Sequence, residues 1–173
     1  MKKYLVIISL LLASAYIFTG CLDSKTDSYE EYLKRLEEQR ILILEQYSSD
    51  SLLIVNYLAE MDSTAIFDEE SGIFYNIVEP GSEPYPKLSA GVGVKYYGML
   101  LDGTVFNTTE EDEVAWFIMN QLISGWQIGL AKIGTGGRII LYLPSYFGYG
   151  SAKYHDIPTN SVLIFDVELV TVL

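Results

Sequence analysis

Cysteine and histidine are nearly absent from this chain of 173 residues, which contains only Cys21 and His155. A disulfide within the chain is therefore excluded. One Cys and one His that lie far apart in sequence argue against a zinc site and against a Cys–His catalytic pair. The G-x-S-x-G pattern of serine hydrolases is also missing. The glycine-rich residues 134–137 lack the Lys-Ser/Thr of a phosphate-binding loop and are predicted to form a turn before a strand. We expect no cofactor and no metal.

Basic residues are also few. The chain has 11 Lys and Arg against 23 Asp and Glu, which gives a formal net charge of −12. A nucleic-acid partner is excluded, because it requires a basic face. Half of the residues are apolar and 13% are aromatic, so the chain can build a core. The 14 Tyr and 14 Gly favour strands and turns, and the length suits one domain with an appendage.

The first 20 residues have the pattern of an export signal. Lys2-Lys3 precedes an uncharged, mostly apolar run from Tyr4 to Thr19, and Gly20-Cys21 follows. The placement of Cys21 resembles a bacterial lipobox, although Phe18 departs from the usual Leu, Ile or Val. This predicts a signal peptide over residues 1–20 and a lipid on Cys21 that binds the membrane. An uncleaved anchor and a free thiol remain the alternatives. The expected location is the bacterial cell envelope, at the outer membrane on its periplasmic or surface face.

A helical arm is predicted over residues 29–62, after a polar tether at 21–28. Apolar residues recur at helix spacing on one face, at Tyr29, Tyr32, Leu33, Leu36, Ile43 and Tyr47. The prediction includes a break at Ser48-Ser49-Asp50, which would cap a second helix ending near Met61. Three roles are open for this arm. It packs on its own domain, it forms a homodimer through residues 29–61, or it is an exposed stalk.

Residues 63–72 are predicted as a linker, and residues 73–173 as the main domain. An Asp-Gly pair at residues 102–103 marks a hairpin turn between two apolar runs. A short helix is expected over residues 123–132. The pattern of elements predicts an α+β fold of mostly antiparallel strands around this one buried helix. The strands are predicted at residues 73–78, 92–99, 138–143 and 162–173.

A series of aromatic and glycine landmarks follows in order through this domain. They are Val94-Lys95-Tyr96-Tyr97-Gly98, Leu101-Asp102-Gly103-Thr104-Val105-Phe106, Ile123-Ser124-Gly125-Trp126, Leu141-Tyr142-Leu143-Pro144, Gly148-Tyr149-Gly150 and Leu163-Ile164-Phe165-Asp166-Val167-Glu168-Leu169. Over residues 72–172 this pattern resembles the FKBP-type peptidyl-prolyl cis-trans isomerases. The resemblance implies an FKBP-like antiparallel sheet wrapped around one short helix. It also implies an aromatic pocket that acts on proline without a nucleophile or a metal.

The resemblance implies a role for individual residues. Trp126 would form the pocket floor, and Ile123 would bind a substrate carbonyl through its backbone N–H. Tyr149 would offer its hydroxyl to another carbonyl, and Ile157 would close the far side. The next aromatic position falls on Trp116 or Phe117, and we assign it to Trp116. The remaining walls and rim would be formed by Tyr96, Phe106, Phe165 and Leu122.

Two departures from the family pattern affect the predicted activity. Asn107 stands where the family usually has Asp, so the pocket keeps a hydrogen-bonding group but loses its charge. The loop over residues 151–158 is short and places Tyr154 where it can lie over the proline. The predicted function is isomerisation of X-Pro bonds in exported polypeptides, which assists their folding. The alternative is a non-catalytic peptide-binding module or chaperone on the same scaffold.

Overall fold

The computed structural model describes the backbone of residues 2–110 and 112–173, and the side chains of residue 28 onward except residue 111. The lipid predicted on Cys21 and the apolar run before it lie outside the described side chains. Among the residues whose side chains are described, no helix is long and apolar enough to cross a membrane. The chain divides into two units, which meet between Leu44 and Glu45.

One long helix, α1, runs from Lys2 to Glu60. It passes through residues 21–28, which were predicted to be a tether; no Gly or Pro in that stretch interrupts a helix. It also passes through Ser48–Asp50, so the predicted break is wrong. Asp50 is fully buried and accepts hydrogen bonds from Ser145, 95 positions away, instead of capping a second helix.

The first unit contains the part of α1 that precedes Glu45. Within it, Arg35 donates a hydrogen bond of 2.6 Å to Glu31, one helical turn earlier, and both side chains are exposed. Such pairs contribute about 0.3–0.5 kcal/mol each. Large apolar side chains on this stretch are also exposed, at Tyr29, Tyr32, Leu33, Leu36, Ile41, Leu42, Ile43 and Leu44.

The second unit is built on an antiparallel sheet of seven strands. The spatial order is β1-β2-β6-β7-β3-β4, and β5 also pairs with β3. The strand bounds are β1 Ile66–Phe67, β2 Phe74–Glu79, β3 Gly91–Leu100, β4 Val105–Thr108, β5 Ala115–Ile118, β6 Gly137–Leu143 and β7 Leu163–Val172. The predicted antiparallel α+β fold is confirmed. The strands β1 and β5 were not predicted, and β1 lies within the stretch predicted as a linker.

The turn between β3 and β4 forms where the sequence predicted it. Gly103 has a φ of +84°, a conformation that glycine adopts at low cost. Its N–H donates to the Leu100 carbonyl at 3.0 Å. Asp102 accepts from the Thr104 N–H at 2.9 Å, which stabilises the turn.

Helix α2, Ser124–Leu130, packs on one face of the sheet. A Cβ built on Gly125 or Gly129 would lie 2.4 Å from the side chain of Leu143 or Leu141, respectively. Glycine at both positions therefore lets the helix backbone approach β6 closely. The core between helix and sheet contains Trp126, Leu130, Leu141, Leu143, Phe165 and Val167.

The C-terminal part of α1, residues 45–60, packs on the opposite face of the sheet. Ile54 and Leu58 are buried against Tyr142 of β6 and Ile164 of β7. Successive residues of a strand point to opposite faces. Tyr142 therefore faces α1 while its neighbours in β6 face α2. The compact unit begins at Glu45, so residues 45–60 belong to it and the boundary predicted at residue 73 falls inside it.

Candidate active site

A cavity of about 330 Å³ opens between α2, the sheet and two loops. This volume is in the range of pockets that bind small ligands. Its lining is mainly aromatic and comes from well-separated segments of the chain. The lining residues are Tyr96, Phe106, Asn107, Phe117, Gln121, Leu122, Ile123, Trp126, Tyr149, Tyr154 and Phe165.

Trp126 lies at the centre of the aromatic cluster, in the first turn of α2, and is 3% exposed. Tyr96, Phe117 and Phe165 each meet the indole nearly edge to face. Their ring centroids lie 5.2, 6.0 and 5.2 Å from that of Trp126, at interplanar angles of 83–87°. Edge-to-face pairs contribute about 0.5–1.5 kcal/mol beyond their burial. Three such contacts hold the indole in one orientation.

The cavity wall formed by Phe106 and Phe165 depends on a glycine in β3. Phe106 meets Phe165 edge to face at 5.4 Å. A Cβ at Gly98 would lie 2.8 Å from Phe106 and 2.9 Å from Phe165. Gly98 therefore lets both rings lie against the β3 backbone, and any larger residue there would displace one of them.

The rim of the cavity is the corner between the 3-10 turn at Met119–Gln121 and α2. The Leu122 carbonyl accepts a hydrogen bond of 2.7 Å from Gln127 Nε2, and the Ile123 carbonyl accepts from the Trp126 N–H at 3.0 Å. Within the described part of the chain, the Ile123 N–H has no backbone hydrogen-bond partner. This fixed corner therefore presents one free backbone donor beside the cavity.

Three tyrosines, Tyr96, Tyr149 and Tyr154, bring hydroxyl groups to the lining of the cavity. Tyr149 and Tyr154 are stacked with centroids 3.9 Å apart and planes 7° apart. Burial, followed by the neighbouring Tyr154, raises the pKa of Tyr149 to about 12. Burial and then the charge of Glu113 also raise the pKa of Tyr96. The hydroxyls of Tyr149 and Tyr96 therefore stay protonated and able to donate at neutral pH.

A family profile described as "FKBP-type peptidyl-prolyl cis-trans isomerase" matches residues 83–170. The chain belongs to this family. The FKBP-type isomerase FkpA of Aeromonas hydrophila is 30% identical over 165 residues, which cover 85% of this chain and 62% of that protein. FkpA of Escherichia coli K12 is 43% identical over 103 residues, which cover 59% of this chain and 38% of that protein. The chain thus spans less than two thirds of either relative.

Two solved structures of peptidyl-prolyl isomerases are similar to this chain in fold. The crystal structure of FkpA from Escherichia coli matches with a TM-score of 0.64 and 31% identity, over 83% of this chain and 70% of that one. A peptidyl-prolyl cis-trans isomerase from Pseudomonas syringae matches with a TM-score of 0.63 and 28% identity, over 74% of this chain and 93% of that one.

The structure brings most of the predicted FKBP site residues together and leaves two outside the cavity. Phe117 lines the cavity where Trp116 was predicted, because neighbours in β5 point to opposite sides and only one of them can face Trp126. Ile157 is buried in the core and does not line the cavity. Its N–H donates to the Tyr154 carbonyl at 2.9 Å, so it supports the loop under that ring. The nine predicted residues that line the cavity are Tyr96, Phe106, Asn107, Leu122, Ile123, Trp126, Tyr149, Tyr154 and Phe165.

Gln121 lines the cavity and was not predicted. A single exposed glutamine before a rim leucine carries no sequence signal. Asn107 lies in β4 opposite Gly98 and forms part of the wall, so the cavity has an amide where the family usually has a carboxylate. Within the described residues, no three His, Cys, Asp or Glu side chains are grouped to hold a metal ion.

Proposed function

We propose that this chain is a peptidyl-prolyl cis-trans isomerase acting on X-Pro bonds of exported polypeptides, which assists their folding. The observation that carries the proposal is the cavity built on Trp126, walled by aromatic rings and bordered by neutral hydrogen-bond donors. Membership in the FKBP family supports it. On the same grounds, the nine predicted residues that line the cavity are proposed as the residues that bind the substrate and catalyse the reaction.

The chemistry needs only selective binding of a twisted amide. Rotation about a peptide bond has a barrier of about 18–20 kcal/mol, maintained by resonance between nitrogen and carbonyl. The planar, resonance-stabilised amide is more polar than the twisted one. An apolar cavity that excludes water therefore disfavours the planar form relative to the twisted one. The aromatic floor and walls suit the flat, apolar proline ring.

Two donors are placed to hold the substrate backbone during rotation. The free N–H of Ile123 can bind one carbonyl at the rim, and the Tyr149 hydroxyl can bind another across the cavity. Fixing the carbonyls on either side of the rotating bond lowers the entropy that the transition state must lose. Asn107 contributes a neutral hydrogen-bonding group on the wall but no field from a charge.

The test is cis/trans exchange of short Xaa-Pro peptides, measured by NMR with the chain from Ser24 onward. We expect acceleration over the uncatalysed rate and a loss of at least about tenfold in Trp126→Ala, since each 1.36 kcal/mol is a factor of ten. Tyr85→Ala, which removes a half-exposed ring outside the cavity, is the matched control and should keep the parent rate. Asn107→Asp should raise the rate by restoring the charge.

The second candidate is a non-catalytic peptide-binding module or chaperone, and Asn107 is the observation that favours it. That function predicts suppression of aggregation that survives Trp126→Ala. A parent without exchange activity that gains it in Asn107→Asp would support this candidate. A parent and an Asn107→Asp variant that are both inactive on every peptide would exclude isomerisation by this cavity.

We also propose that a lipid on Cys21 anchors the protein in the bacterial cell envelope, at the outer membrane on its periplasmic or surface face. The position of Cys21 after an apolar run supports this. Mass spectrometry of the mature N-terminus, beside Cys21→Ala, would test it. The protein should partition into detergent and the variant should not. An unmodified Cys21 would contradict the proposal.

A homodimer through residues 29–61 is the third part of the proposal. The apolar side chains left exposed between Tyr29 and Leu44 support it, because so many on one helical stretch favour association. Ile54 and Leu58 are buried in their own unit and are not available for it. Sedimentation of a chain starting at Glu45, compared with one starting at Ser24, is the test. A monomeric mass for both chains would contradict the dimer.

A further inference from the structure

A second, more open cleft adjoins the cavity on the far side of β5. Its volume is about 520 Å³, and its outer part is formed by Trp116, Ile118 and Leu173. These three side chains are 57%, 44% and 77% exposed. No charged side chain lines the cleft. Its chemistry therefore favours an apolar ligand over a charged one.

Trp116 holds a defined position in this cleft. It lies opposite Gly93 in the pairing of β5 with β3. A Cβ at Gly93 would lie 3.2 Å from the Trp116 ring, so part of the indole covers the glycine backbone. The rest of the ring stays in solvent. A ring anchored at one side and open on the other is pre-organised for a contact, since little rotamer entropy remains to be lost.

The cleft and the proposed prolyl cavity share a wall. Phe117, Gln121 and Leu122 line both of them. The free N–H of Ile123 lies at the same rim, where a substrate carbonyl would bind. A polypeptide held at that N–H, with its proline in the cavity, thus has the cleft directly beside its path. The occupant that this continuity favours is another part of the same substrate.

We propose that this cleft is a substrate subsite, which binds an apolar side chain of the polypeptide whose proline occupies the cavity. The inference rests on the proposed isomerase function. The shared wall is one layer of side chains, and the centres of packed rings lie about 4.5–7 Å apart, so two groups packed on either side of this layer are at least about 9 Å apart. An extended chain advances about 3.5 Å per residue, so the bound side chain is two or three residues from the proline. Aromatic and branched aliphatic residues fit, and charged ones do not.

The experiment is a positional scan. An Ala-based peptide with one X-Pro bond is compared with peptides that carry a single Phe two or three residues before or after the proline. We measure kcat/KM for isomerisation by NMR exchange. In the parent chain, Phe at one of these positions should raise kcat/KM about tenfold over Ala, and Glu or Lys at that position should give no gain.

Variants of the cleft make the result specific. In Trp116→Ala the advantage of Phe over Ala should fall to less than about twofold, while Trp116→Tyr should keep most of it. Tyr85→Ala, at a half-exposed ring outside both clefts, should keep the full advantage. In the parent, titration with the Phe peptide should also shift the NMR signal of the Trp116 indole N–H, and titration with the Ala peptide should shift it less.

The two levels of the proposal fail differently. Isomerisation of all peptides at similar rates, or an advantage of Phe that survives Trp116→Ala, would overturn the subsite and leave the isomerase intact. No acceleration of any peptide would remove the isomerase and the subsite with it.

Discussion

Replacing Asp50 by Ala should destabilise the second unit strongly, although Asp50 lies in a helix remote in sequence from the cavity. Its carboxylate is fully buried and accepts from the Ser145 N–H at 2.8 Å and from the Ser145 hydroxyl at 2.6 Å. The other carboxylate oxygen accepts from Gln46 Nε2 at 2.8 Å. Ser145 itself is 1% exposed.

The magnitude follows from what the substitution leaves behind. Asp50→Ala removes the acceptor for two buried donors of Ser145, and each buried donor without a partner costs about 1–3 kcal/mol. Alanine is the better helix former, which returns about 0.5 kcal/mol. We therefore expect the free energy of unfolding to fall by about 3 kcal/mol, a large part of the ~5–15 kcal/mol typical of domains. Asp50→Asn keeps one acceptor oxygen and should lose about 1 kcal/mol.

The assay is urea unfolding followed by tryptophan fluorescence. Glu45→Ala, an exposed acid on the same helix, is the matched control and should stay within about 0.5 kcal/mol of the parent. A double-mutant cycle with Ser145→Ala separates the contact from general effects. We expect a coupling energy of at least about 1 kcal/mol, because the two side chains share one short hydrogen bond.

A loss below about 1 kcal/mol in Asp50→Ala, together with no coupling to Ser145→Ala, would refute this reasoning. It would mean that the buried carboxylate is not what joins the helix to the loop. The same data report on the site, because the Ser145 carbonyl accepts from the Gly150 N–H at 2.8 Å, next to Tyr149.

Three further predictions follow from other contacts. Hydrogen bonds from Lys132 and then Ser71 lower the pKa of Asp68 from 3.8 to about 2. The ionised carboxylate therefore stabilises the fold above pH 4, and this stabilisation is lost as the pH falls towards 2. In Asp68→Asn the free energy of unfolding should depend less on pH over that range. Gly98→Ala should raise KM for X-Pro peptides several-fold, since its Cβ displaces an aromatic wall, and an unchanged KM would contradict this. A chain starting at Glu45 should fold by circular dichroism, whereas one starting at residue 63 should be mostly unfolded, because it lacks buried apolar residues of α1 worth about 2–5 kcal/mol each.

The order of landmarks in the sequence was enough to predict the main strands, the buried helix and most of the cavity. Each of those landmarks is local, because glycine and aromatic residues at fixed spacing define a turn or one face of a strand. Trp116 and Phe117 differ only in which side of β5 they face. That depends on the register with β3, which the sequence of a four-residue strand does not determine.

The continuity of α1 was beyond sequence reasoning for a different reason. Ser48-Ser49-Asp50 has the local composition of a helix cap, and local preference is a weak prior that tertiary contacts override. The deciding contact joins Asp50 to Ser145, far along the chain. The two-residue strand β1 likewise exists only because β2 is there to pair with it.

The raised pKa of Tyr149 affects the range of pH over which the cavity can bind a substrate in the same way. A catalytic site based on histidine changes its charge within the span of acidity that an organism meets. The two donors proposed to hold the substrate are the Tyr149 hydroxyl and the Ile123 backbone N–H, and burial raises the pKa of Tyr149 to about 12. These two donors therefore keep their protons in acidic, neutral and mildly alkaline media. Hydrogen bonding to a substrate by these two donors should therefore stay the same when the surroundings of the protein change in acidity.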